Sequence, residues 1–154
     1  MTNQAAHSRV LSDRPPVGVR FIEHTADVGI EVRATTLAGC FVRAAAGMFA
    51  CFTAPSGRAP TSDVLQVEVM GENLEDLLVA WLEELLYRSE VQGLAFHEFS
   101  VSELTKTHVR GSARGVRFGR GAQTTGPAVK AVTRHGLEVA HEDGFWQARV
   151  IFDV

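Results

Sequence analysis

Apolar and polar residues follow two different periods along this chain. Val28, Ile30 and Val32 alternate with Gly29, Glu31 and Arg33, the two-residue repeat of a half-buried strand. From Leu37 the repeat changes. Leu37, Phe41, Ala44, Ala45, Met48, Phe49 and Phe52 recur at the spacing of one helix face, with Thr35 or Thr36 placed to cap it and Pro55-Ser56-Gly57 to stop it. Leu65, Val67 and Val69 then alternate with Gln66 and Glu68, so Val64 to Met70 reads as a strand that Gly71 breaks. Asn73 caps a second helix. Glu75 and Asp76 fall in its first turn, where the positive end of the helix dipole favours carboxylates. Leu74, Leu77, Leu78, Trp81, Leu82, Leu85 and Leu86 form its apolar face, and Gly93 stands where a left-handed residue closes a helix.

The remaining stretches read as strands and turns. Arg20 to His24 is a short strand ahead of Val28. Phe96 to Leu104 alternates, and Thr107 to Phe118 alternates poorly and is rich in Arg and Gly. Gly119 to Pro127 reads as a flexible loop. Ala128 to Thr133 and Leu137 to Ala140 flank Arg134-His135-Gly136, which suggests a turn, and Asp143-Gly144 is a hairpin signal. In the last strand Trp146, Ala148, Val150 and Phe152 face one way, while Gln147, Arg149 and Asp153 face the other. Met1 to Val17 is polar and ends in Pro15-Pro16, an extended arm. Two long amphipathic helices among about seven strands predict an α+β single domain, a mixed or antiparallel sheet covered by the helices. Residues 1–18 are then an arm and 19–154 the domain.

Composition narrows the class. At 154 residues, with 45% apolar and 21% charged side chains, the chain has the size and balance of one ordinary globular domain. No apolar run is long enough to cross a bilayer, and Met1 to Arg20 lacks the apolar stretch of a signal peptide, which predicts a cytoplasmic protein. Cys40 and Cys51 on one helix would stand roughly 16 Å apart, beyond the ~7 Å reach of a disulfide, so they read as buried thiols. The net charge of −3 conceals an uneven distribution. Asp63 to Glu98 is strongly acidic, Arg88 being its sole basic residue, and Lys106 to His135 is basic throughout. The acidic helix face reads as solvated, though a basic partner could use it; the basic stretch is the candidate anion-facing surface.

Common phosphate-loop, dinucleotide, nucleophile-elbow and zinc-protease motifs are absent. Three polar groupings remain. His24-Thr25-Ala26-Asp27 lies between two strands. Taken locally it is a turn, with Asp27 accepting main-chain bonds. Asp153-Val154 places a side-chain carboxylate beside the last residue. If the final strand lies beside the one that follows Asp27, several anionic oxygens gather, and repulsion between them calls for a hard cation such as Ca²⁺, Mg²⁺ or Mn²⁺. Lys130 to His135 carries one of the two lysines on a strand, able to bind a phosphate, to meet a partner's acidic loop, or simply to form a surface ion pair.

These residues also carry a family resemblance. Arg20-Phe21-Ile22-Glu23-His24-Thr25-Ala26-Asp27-Val28-Gly29-Ile30 resembles the N-terminal signature of the archease family, and Asn73 to Tyr87 resembles its central helix. Val129 to Leu137 and Ala148 to Val154 resemble its C-terminal half. The resemblance implies an archease-like fold and an accessory protein, not itself an enzyme. Its partner would be the GTP-dependent RNA ligase of tRNA splicing and RNA repair, whose guanylylation and repeated turnover it promotes. It also implies a carboxylate metal site, with calcium as the first expectation. Asp27 and Asp153 are then the ligands, a carboxylate or main-chain oxygen of Val154 a further one, and Lys130, His24 and His135 the partner-facing residues. RNA would be met only through the ligase, and no membrane is involved. Arg134 departs from the family pattern, as does the Gly115-Val116-Arg117-Phe118 stretch. The alternative reading is a metal-dependent enzyme acting on a small phosphorylated substrate with the same carboxylates and Lys130. An RNA-binding module is poorly supported, because Phe118 is the lone aromatic in the arginine-rich stretch.

Overall fold

The computed structural model describes residues 15–23, 27–56 and 59–154. In chain order these form β1 (Val19–Glu23), β2 (Val28–Ala34), α1 (Leu37–Ala50), β3 (Thr53–Pro55), β4 (Leu65–Met70), α2 (Leu74–Gln92), β5 (Leu94–Leu104), β6 (His108–Arg117), β7 (Ala122–Thr124), β8 (Ala131–Glu142) and β9 (Phe145–Asp153). The expected arm before Pro15, the segment His24-Thr25-Ala26 and Gly57 lie outside the described residues.

The fold is α+β, as expected, but its strands divide among three sheets. A four-stranded sheet runs β1-β2-β9-β8, a three-stranded one β4-β6-β5, and β3 pairs with β7 alone. Every named strand pair is antiparallel. Helix α1 packs on β2 and β5, and α2 packs on β4 and β8, so the helices join the two larger sheets.

Local chemistry explains the helix ends. Thr36 caps α1 by accepting from the Gly39 N–H at 2.9 Å, and Asn73 caps α2 by accepting from the Asp76 N–H at 2.8 Å. Gly93 closes α2 at φ 69°, where a Cβ would be strained. Helix α1 stops at Ala50, short of the expected Pro55. The Thr53 hydroxyl donates to the Phe49 carbonyl at 2.7 Å and satisfies the last turn, which frees Thr53 to Pro55 to pair with Ala122 to Thr124. The stretch expected as a loop, Gly119 to Pro127, therefore contains β7.

The expected turn at Arg134-His135-Gly136 is a bulge inside one continuous strand. Thr133 pairs with Ile151 and Glu138 with Arg149, so β8 carries extra residues between those pairs, and Gly136 absorbs them at φ 67°. The Asp143-Gly144 hairpin turn is present, with both residues at positive φ.

The core is one cluster of side chains from both helices and the inner faces of the sheets, with Phe41, Phe49, Trp81, Phe96 and Phe152 among its largest members. The Trp81 indole N–H donates to the Phe41 carbonyl at 3.1 Å and ties α2 to α1. Strand pairing also brings the acidic and basic segments together. Arg110 pairs with Glu68 and Glu103, Arg114 with Glu98, and Arg134 with Asp76. Three of the seven basic residues of that stretch are thus paired within the molecule. Its expected role as an anion-facing surface contracts accordingly.

A carboxylate edge and an adjoining groove

Three strand ends meet at one edge of the four-stranded sheet. Strand β9 lies between β2 and β8 and runs antiparallel to both, so its end coincides with their beginnings. Val28 is paired with Phe152, which makes Asp27 and Asp153 the next residues on adjacent strands. On the other side Ala131 pairs with Asp153, and the Lys130 N–H donates to the Asp153 carbonyl at 2.7 Å. Asp27, Asp153 and Lys130 therefore stand at the same edge, Asp153 at the end of β9 and the other two directly before β2 and β8.

The packing beneath explains why the edge is well placed. Phe152 is wholly buried directly before Asp153, and the side chain of Val154 packs on the core directly after it. Asp153, exposed between two anchored neighbours, has its main chain held from both sides. Gly29, two residues into the strand from Asp27, is required by close approach: a Cβ there would lie 2.6 Å from Ile151 Cδ1 and 2.8 Å from the Val150 carbonyl oxygen.

Strand alternation separates the roles of the three residues. Continuing β2 by one step to Asp27, and following β9 to its last residue, places Asp27 and Asp153 on the face of Glu31 and Arg149, which pair at 3.5 Å. That outer face carries alternating charge across all four strands, because Arg20 is opposite Glu31, Glu31 opposite Arg149 and Arg149 opposite Glu138. Lys130 is tied to Asp153 through its main chain and is also among the residues that line a groove against α2.

The groove has a volume of about 780 Å³. Leu86, Phe52, Phe118 and Val129 give it an apolar floor, and Tyr87, Glu83, Glu90 and Lys130 stand around it. Sequence reasoning did not find it, since its walls come from α2, the end of α1, the β6–β7 connection and the approach to β8. The available signal was Tyr87, an exposed aromatic between Glu83 and Val91 on the exposed face of the helix.

The other expected site residues fall elsewhere. His24 lies outside the described residues. His135 is exposed on the bulge of β8, further along the strand than the aspartate edge, and its N–H bonds the Thr133 hydroxyl at 3.3 Å. Among the described residues no three His, Cys, Asp or Glu side chains gather closely enough to enclose a metal ion. The donors at the edge are two carboxylates and adjoining main-chain oxygens, a hard oxygen set that suits Ca²⁺, Mg²⁺ or Mn²⁺ with water completing the shell. Elsewhere, burial pushes the thiols of Cys40 and Cys51 up to about 12, so neither is a ready nucleophile or soft ligand. No helix among the described residues is long and apolar enough to cross a membrane.

Comparison with known proteins adds to this geometry. Residues 20–154 match the model of the Archease protein family (MTH1598/TM1083). Protein archease of Methanopyrus kandleri is 39% identical over 136 residues, covering 86% of this chain and 96% of that protein. Protein archease of Pyrococcus furiosus is 36% identical over 137 residues, with coverage of 86% and 95%. The solution structure of Methanobacterium thermoautotrophicum protein 1598 superposes with a TM-score of 0.71 at 33% identity, over 89% of this chain and 99% of that one. The crystal structure of a Thermotoga maritima protein described as an archease and possible chaperone superposes with a TM-score of 0.60. Its 18% identity speaks to the fold alone, over 86% of this chain and 94% of that one.

Proposed function

The chain belongs to the archease family, and we propose that it is an accessory protein that activates the GTP-dependent RNA ligase of tRNA splicing and RNA repair. Asp27 and Asp153 are its metal ligands in this reading. One observation supports it above the others: the β2–β9 register brings two aspartates from opposite ends of the chain to one sheet edge. Two carboxylates at adjacent strand ends repel one another, and a shared divalent cation relieves that repulsion. Calcium is the first candidate, with magnesium or manganese as alternatives, and a main-chain oxygen of Val154 is a further donor.

A cation held there would supply concentrated positive charge to the docked partner. The protein's own residues do the positioning. Phe152 and Val154 anchor the chain on either side of Asp153. The Lys130 N–H fixes its carbonyl, and Gly29 lets β2 and β9 close together. An edge already ordered in this way can order the ligase pocket without a large entropic cost, which lowers the barrier to guanylylation of the ligase. The chain works beside that ligase in the cytosol and meets RNA only through it.

The test is guanylylation of the ligase from the same organism with labelled GTP. The wild-type chain should raise both its rate and the number of turnovers. Asp27→Asn and Asp153→Asn should fold and fail to do so. Full stimulation by both variants would contradict the proposal, and turnover of a small phosphorylated compound by the chain alone would favour the enzymatic alternative.

A further inference from the structure

The groove beside Lys130 is neither a metal site nor part of the aspartate edge. Its floor is apolar, and Tyr87 and Val91, one helical turn apart on α2, leave large side chains more than half exposed at and next to its rim. Glu83 and Glu90 add two exposed carboxylates at the rim, and neither takes part in an ion pair among the described residues. By contrast Glu84, on the same helix, is paired with Arg88. The opposite wall contributes a single cation, Lys130. An apolar trough with two unneutralised acids on its helix wall selects against phosphate and nucleic acid, and it complements an apolar side chain flanked by positive charge.

The geometry points to this groove as the docking site for a polypeptide segment of the partner protein, one that carries a bulky apolar anchor flanked by lysine or arginine. The anchor fills the space over Leu86, Phe52, Phe118 and Val129, and its basic neighbours meet Glu83 and Glu90. Since Lys130 lines the groove and its main chain is bonded to Asp153, a segment seated there brings the aspartate edge to the same partner. The inference rests on the accessory reading above and adds a second contact to it, one that holds the partner without acting on the chemistry.

The two contacts are separable by experiment. Guanylylation of the ligase from the same organism is measured against increasing concentration of the chain. The doubly substituted Glu83→Lys/Glu90→Lys chain should need about tenfold more protein or greater for half-maximal stimulation, with the plateau unchanged. Asp153→Asn should instead lose the plateau. Independently, Tyr87→p-benzoylphenylalanine should photo-crosslink to a ligase segment containing lysine or arginine. Wild-type half-saturation by the charge-reversed chain, or stimulation without any crosslink from position 87, overturns the groove assignment and leaves the aspartate edge standing. Crosslinks only between copies of this chain overturn it in favour of self-association. A wild-type chain that never stimulates the ligase overturns the accessory reading and the proposed occupant together.

Discussion

The Lys130 N–H donates to the carbonyl of Asp153 at 2.7 Å, joining the entry of β8 to the end of β9. Because β2 flanks β9 on the other side, this bond fixes one boundary of the edge where Asp27 and Asp153 stand. The bond is between main chains, so Lys130→Ala should leave it intact. The variant should match the wild type within about 0.5 kcal/mol in urea unfolding, as expected for an exposed side chain.

Gly29 tests the packing under that edge. A methyl group there collides with Ile151 Cδ1 and with the Val150 carbonyl. The side chain can move and the main chain cannot, so Gly29→Ala should destabilise the fold by about 1–3 kcal/mol and Gly29→Val by more. Urea midpoints measure this. Ile151→Val in the Gly29→Ala background should restore only part of the loss.

Trp81 joins the helices through the Phe41 carbonyl at 3.1 Å. Trp81→Phe removes that donor and leaves a gap in a fully buried site, and should cost about 2–4 kcal/mol. A fall in Tm without a change in calcium affinity is the expected result.

Cys40 and Cys51 carry thiols pushed up to about 12 by burial. At pH 8 both are protonated in the folded chain, so a thiol reagent such as DTNB should react slowly until denaturant is added and then titrate both. Rapid reaction of Cys40, which is 1% exposed, would show that α1 opens readily.

Glu68 is held below the usual carboxylate range, first by its hydrogen bond with His108 and then by the charge of Arg110. A carboxylate depressed on folding contributes stability above its ordinary pKa of about 4.5, and that contribution is lost as pH falls through the lower folded value. Glu68→Gln should therefore lower Tm slightly in the neutral region, converge with the wild type at low pH, and so flatten the acid limb of a Tm–pH profile.

Much of the fold was legible because its signals are local. The helix faces of Leu37 to Phe49 and Leu74 to Leu86, the caps at Thr36 and Asn73 and the Asp143-Gly144 turn all follow from neighbouring residues. The short pairing of Thr53–Pro55 with Ala122–Thr124 was not, since neither segment has an alternating pattern of its own and Phe52 extends the helical one. Arg134-His135-Gly136 resembles a turn because glycine at positive φ serves a bulge and a reversal equally well. Asp27 and Asp153 were identifiable as residues, but their adjacency depends on strand order. The groove was out of reach because residues from four separate parts of the chain build it.

Asp27 and Asp153 are proposed to hold one divalent cation together, and calorimetric titration of the chain with calcium chloride reads that binding itself. Shared coordination predicts a single site per chain that is weakened tenfold or more by either Asp27→Asn or Asp153→Asn, about 1.4 kcal/mol or greater, with a given calcium concentration raising Tm more in the wild type than in either variant. Wild-type calcium affinity in both variants would contradict it.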